Sequence, residues 1–179
     1  MAKLIFAMSQ SLDGYVAAAD GALNPPDVAL FRHFVEFENS LAGVLYGRRI
    51  YEMMRYWDED HSDWEAHERD FAMAWRAHPK WVVSRLLKSV GPNATLVDRD
   101  VEAFVRNLKS EIDGDIGVAG PELAGSLTKS GLIDEYRLYF RPYALGSGKP
   151  YFAGAVPALR LVAADRVGDD TVRLTYERA

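Results

Sequence analysis

Twice in this chain an apolar strand runs into a glycine and straight on into a helix, and that pattern restricts the possible folds more than any other feature. Gly43 to Tyr46 leads to Gly47, Arg48 and Arg49, then to the helical spacing of Ile50, Tyr51, Met53 and Met54. Asp115 to Ala119 leads to Gly120 and Pro121, and a helix follows through Leu123 and Leu127 until Gly131 closes it. Strands that alternate with helices are joined by right-handed crossovers, which puts them in a mainly parallel sheet with helices on both faces. Leu4 to Met8 is continuously apolar, as expected of a central strand covered on both sides, and Lys80 to Ser84 and Thr95 to Val97 add two more. A helix is expected from about 27 to 40, and another after Asp100 as its cap, with Val101, Phe104, Val105 and Leu108 facing inward.

The end of the chain changes character. Tyr136 to Ala144 reads as one long aromatic strand. Leu159 to Ala164 and Thr171 to Glu177 alternate apolar with polar around Gly168, Asp169 and Asp170, which predicts an antiparallel hairpin. Trp57, Trp64, Phe71 and Trp75 recur at spacings of seven, seven and four, a helical stripe that serves a core or a subunit contact. Residues 12 to 26 read as a long loop, and length of that kind is usually functional, with 14 to 26 expected to act as a lid.

At 179 residues the chain suits a single domain. Without cysteine it has no thiolate metal site and no cysteine nucleophile, and it fits a reducing, cytoplasmic setting. A net charge of −5 argues against a general nucleic-acid binder, and no segment is apolar for long enough to span a membrane. Any anionic ligand must therefore meet local basic groups.

Strand ends that feed helix N-termini supply such groups, because free amides converge there and glycine admits a ligand close to the backbone. The candidates are Gly47 with Arg48 and Arg49, the turn at Gly120 and Pro121, and Ser84 with Arg85 at a third strand end. Gly146, Ser147, Gly148 and Lys149 lack the full spacing of a phosphate loop and read as a loop near the ligand. Asp27 is either an N-terminal cap or an acid facing a cavity floored by Leu30, Phe31 and Phe34. Asp13 is either a turn residue or part of that site. His33, His61, His67 and His78 lack metal-ligand spacing and are expected on the surface, with no metal.

The order of these features resembles the dihydrofolate reductase superfamily, most nearly the branch of the pyrimidine reductase domain of riboflavin biosynthesis. Ser11, Leu12, Asp13 and Gly14, then Gly120 to Leu123, then Gly148 to Phe152 carry the likeness. The resemblance implies a three-layer α/β fold with a mixed, mainly parallel sheet, and NADPH as hydride donor. It implies cofactor contacts at Gly47, Arg48, Arg49, Ser84, Arg85, Val118, Ala119, Gly120, Pro121, Glu122 and Leu123. Alanine at 119 and isoleucine at 50 depart from the family pattern. For the substrate side it implies Asp13, Asp27 and Phe31, with Asp27 assisting protonation of a small heterocyclic or aminopyrimidine acceptor such as 5-amino-6-(5-phosphoribosylamino)uracil. A dihydrofolate or pterin reductase, or a non-catalytic nucleotide-binding homologue, are the other readings. Related proteins form dimers, so a homodimer is expected.

Overall fold

The structure, a computed structural model, describes residues 1–154 and 156–179. Ten strands and five helices follow in the order β1 (Leu4–Gln10), β2 (Tyr15–Ala17), α1 (Val28–Ser40), β3 (Gly43–Gly47), α2 (Arg48–Met54), α3 (Ala66–Ala77), β4 (Lys80–Val83), β5 (Ala94–Val97), α4 (Val101–Glu111), β6 (Ile116–Ala119), α5 (Pro121–Lys129), β7 (Glu135–Phe140), β8 (Lys149–Pro150), β9 (Leu159–Val167) and β10 (Thr171–Arg178). Eight strands form one sheet in the order β5-β4-β3-β6-β1-β7-β10-β9. From β5 to β7 every pairing is parallel, and β10 then joins β7 and β9 antiparallel. The fold is therefore the expected α/β arrangement, with β1 and β6 at the centre. No helix among the described residues is long and apolar enough to cross a membrane.

Alternation along the strands divides the core into two layers. On one face Leu45, Trp81 and Val118 pack with Val105 and Leu108 of α4 and Leu123 and Leu127 of α5. On the other, Val44, Tyr46 and Val82 meet Phe31, Phe34 and Phe37 of α1 and Phe71 and Trp75 of α3.

Several local expectations change. Trp57 lies in a 3-10 turn (Arg55–Asp58) and Trp64 precedes α3, so the four aromatics are not one helical stripe. They converge through the fold instead: the Trp57 ring centre is 5.1 Å from that of Trp64 and 5.0 Å from that of Phe71. Asp100 sits at the N-cap of α4 in a left-handed conformation, and its side chain makes no capping hydrogen bond. β7 ends at Phe140, short of the expected Ala144, although the Arg141 N–H still donates to Gln10 O (3.0 Å). Its aromatics find cover within the chain, with Tyr136 against Phe152 and Tyr139 against Phe34. The histidines are half-buried rather than superficial, with His67 edge-on to Phe31 and His33 bonded to the Tyr139 hydroxyl at 3.0 Å.

The loop after β1 is more ordered than its composition suggests. β2 pairs with β8, so the opening segment and the late loop hold each other. Tyr151 donates its backbone N–H to Gly14 O (3.0 Å) and its hydroxyl to Phe6 O (2.8 Å).

Candidate functional site

The C-terminal ends of β3 and β6 lie side by side, with Tyr46 opposite Ala119. That register brings the two glycine turns into contact. At Gly120, φ is +111°, and a Cβ there would stand 3.3 Å from Ile50 Cγ2 and 3.7 Å from the Gly47 Cα. Glycine is required on both counts, since an L side chain is strained at that φ and would fill the gap.

A cavity of about 210 Å³ opens over these turns. Its walls include Gly47, Arg48, Arg49, Ile50, Gly120, Pro121, Glu122, Leu123 and Lys149. Three cations thus face one space. Glu122 lies among them, 3.2 Å from Arg49 and 3.7 Å from Lys149, while Arg48 bonds Glu52 at 2.9 Å. α2 has only seven residues, so an anion at the first turn is held by the guanidinium groups more than by a helix dipole. α5 contributes a full helix N-terminus with Pro121 in its first turn.

A second cavity, of about 690 Å³, lies beside the first and shares Met8, Val16, Leu23 and Met53 with it. Its character is different. Phe31, Phe34, Phe37, Trp57, Phe71 and Tyr143 supply aromatic walls, and Glu38 and Glu68 are its charged groups. Glu68 is partly engaged, accepting the Glu65 backbone N–H at 2.8 Å. The Glu38 side chain is 15% exposed, and among the described residues the basic side chain within pairing distance is His78, with Nδ1 at 3.6 Å.

The expected site residues divide accordingly. Gly47, Arg48, Arg49, Gly120, Pro121, Glu122 and Leu123 come together on the first cavity, while Val118 is buried behind them and Ala119 leads into the turn. Phe31 lines the second. Ser84 and Arg85 follow β4, whose Val83 pairs with Gly47, yet neither lines either cavity. The Ser84 hydroxyl accepts the N–H groups of Leu86 and Leu87, both at 3.1 Å, and Arg85 is exposed.

Asp27 does not face the cavity. It is exposed and caps α1, with Oδ1 accepting the Leu30 N–H at 2.9 Å on the side of the β9–β10 turn at Gly168. A carboxylate one residue before a helix satisfies a free amide there at little cost, and that competing use decides its direction. Asp13 is likewise occupied. It accepts the N–H groups of Leu145 (3.1 Å) and Gly146 (2.7 Å) and thereby ties the late loop to the end of β1. The Ser11 hydroxyl, followed by these amides, holds its carboxyl below the ordinary range.

Lys149 and Glu38 are the functional candidates that the sequence reading did not select. Lys149 is brought to the first cavity by pairing of β8 with β2, which no local pattern announces. Glu38 carried a usable sign, because it continues the apolar spacing of Phe31 and Phe34 on α1. A charge on an apolar stripe is out of place unless something is to meet it.

The family model described as the RibD C-terminal domain matches residues 2–173. Protein YyaP of Bacillus subtilis (strain 168) is 26% identical over 155 residues, which cover 84% of this chain and 80% of that protein. Among solved structures, a putative riboflavin biosynthesis protein from Shewanella sp. PV-4 superposes with a TM-score of 0.76 at 24% identity, over 100% of this chain and 99% of that one. The Thermotoga maritima diaminohydroxyphosphoribosylaminopyrimidine deaminase/5-amino-6-(5-phosphoribosylamino)uracil reductase gives 0.71 at 16%, over 99% of this chain and 57% of its own. Dihydrofolate reductase from Enterococcus faecalis, complexed with NADP(H), gives 0.68 at 15%, over 98% and 96%. With a family model spanning nearly its whole length, and that fold beneath it, the chain belongs to the RibD C-terminal domain family.

Proposed function

We propose that the protein is an NADPH-dependent reductase of a small heterocycle, with the dinucleotide over the cationic cavity and the acceptor in the aromatic one. The observation that carries this reading is the shared wall of Met8, Val16, Leu23 and Met53. A phosphate-binding surface and an apolar ring site that abut can hold two reactants in contact, which is most of what hydride transfer asks of a protein. Names of related structures agree, one being a uracil-derivative reductase and another a complex with NADP(H).

The residues present fit the cofactor. Gly47 and Gly120 leave room above their backbones, and Arg48, Arg49 and Lys149 surround it with donors suited to phosphate oxygens. When bound, NADPH supplies the hydride. Leu23, Met8, Met53 and the aromatic walls exclude water from the space between ring sites, where solvent would otherwise intrude. Asp27 has no part in this reading beyond capping α1, so the proton comes from solvent or from a group on the aromatic cavity. Arg85, exposed just beyond β4 and outside the first cavity, is the group that a ribose phosphate reaching past Gly47 would meet.

NADPH at about a hundred times its dissociation constant should raise the melting midpoint by about 5–10 °C. Arg49→Ala should weaken that protection, and Arg85→Ala should reduce the preference for NADPH over NADH. Absence of any shift with NADPH rejects the reading.

A further inference from the structure

We infer that the acceptor is a flat heterocycle without a phosphate group, neutral or positively charged, with its polar edge toward Glu38. The inference rests on the reductase reading for the word acceptor, but the recognition argument stands on the aromatic cavity alone.

The 690 Å³ cavity is large enough for a two-ring compound, and its lining includes no lysine, arginine or histidine. Its charges are the carboxylates of Glu38 and Glu68. A phosphate ester placed there would be desolvated against aromatic faces and repelled by two like charges. The nearby guanidinium of Arg141 is not part of the lining. It is buried behind the loop, where its two terminal nitrogens donate to the backbone carbonyls of Asn24 (2.6 Å) and Pro25 (2.7 Å). The cations of the neighbouring cavity belong to the cofactor phosphates under the same reading.

What the walls do offer is a ring site. Phe31, Trp57 and Phe71 meet at centroid distances of 5.0 to 5.9 Å with tilted or edge-on planes, and all three are walls of this one volume. Aromatic walls favour a flat apolar guest and favour a cation more. Glu38 sits on the same stripe of α1 as Phe31 and Phe34, and its half-buried carboxylate accepts from ring N–H groups or faces a ring cation. This cavity therefore selects against the phosphoribosyl substituent in the name of the Thermotoga enzyme's substrate.

Three two-ring probes test the inference by calorimetry on the full chain: quinoline, N-methylquinolinium and 1-naphthyl phosphate, the last measured by its displacement of quinoline. The cation should bind about tenfold more tightly than quinoline, and the ester about a hundredfold more weakly than the cation. Glu38→Gln should bring the cation close to quinoline; an unaltered ratio removes Glu38 from the site. An ester that displaces quinoline as well as the cation does, or failure of all three probes to bind, overturns the substrate class. The NADPH melt separates the two readings. Protection by NADPH without ring binding rejects this inference only, and ring binding without protection rejects the reductase reading only.

Discussion

Glu122 lies between Arg49 and Lys149, within 4 Å of both, where the proposed reading puts a cofactor phosphate. Arg49 and Glu122 are largely exposed, at 62% and 68%, so their pair contributes well under about 1 kcal/mol and gives way readily to a multiply charged ligand. The cost is a like-charge neighbour that stays close to the bound anion. Glu122→Gln should therefore tighten NADPH binding by roughly threefold to tenfold at low salt, with the gain shrinking as ionic strength rises. Titration of the variant at two salt concentrations checks this, and weaker binding at low salt contradicts it. At the same scale, one hydrogen bond to the Leu30 amide holds the Asp27 carboxylate at the cap of α1 and outside the lining of both cavities.

Among the elements, the segment between β2 and α1 borders both cavities. It supplies Leu23, Asn24, Pro25 and Pro26 to the aromatic cavity, and it is fastened at both ends. β2 is paired to β8, and Arg141 holds the far end through the carbonyls of Asn24 and Pro25. A free lid would have neither restraint. Arg141→Ala leaves two carbonyls without their donor, a loss of about 1–3 kcal/mol in stability. Quinoline affinity should fall more than NADPH affinity, because the residues Arg141 fastens, Asn24 and Pro25, line the ring site, while the first cavity takes Gly21 and Leu23 from this segment. Equal losses in both would mean that Arg141 acts on the fold as a whole. Gly148 serves the same assembly, since a Cβ there would meet Ala17 O at 2.1 Å.

The whole molecule closes where α1 lies on the antiparallel end of the sheet, with His33 bonded to the buried Tyr139 hydroxyl. Burial, with Arg173 and Arg137 adding to it against Glu36, lowers the His33 pKa from its ordinary 6.5. The unfolded chain then takes up this proton before the folded one does. The stabilising share of neutral His33 is complete above about pH 6.5 and is lost as pH falls to the lowered folded value. Melting midpoints measured between neutral and mildly acidic pH should drop less in His33→Gln, which keeps a polar partner for Tyr139 without the titration. Identical pH profiles would assign the acid sensitivity elsewhere.

Periodicity and turn chemistry determined the parallel core, the two glycine turns and the C-terminal hairpin, because each depends on residues close together in the chain. The first cavity was legible for the same reason: its glycines and arginines belong to two local motifs that parallel pairing places side by side. Only the tertiary structure decided which carboxylates reach the cavities. Asp27 and Asp13 were taken by nearby amides, while Glu38 was carried to the aromatic cavity by packing of α1 against α3. Lys149 reached the first cavity through a pairing with β2 more than 130 residues away. A side chain's direction depends on which distant partner competes for it, and no local spacing encodes that competition.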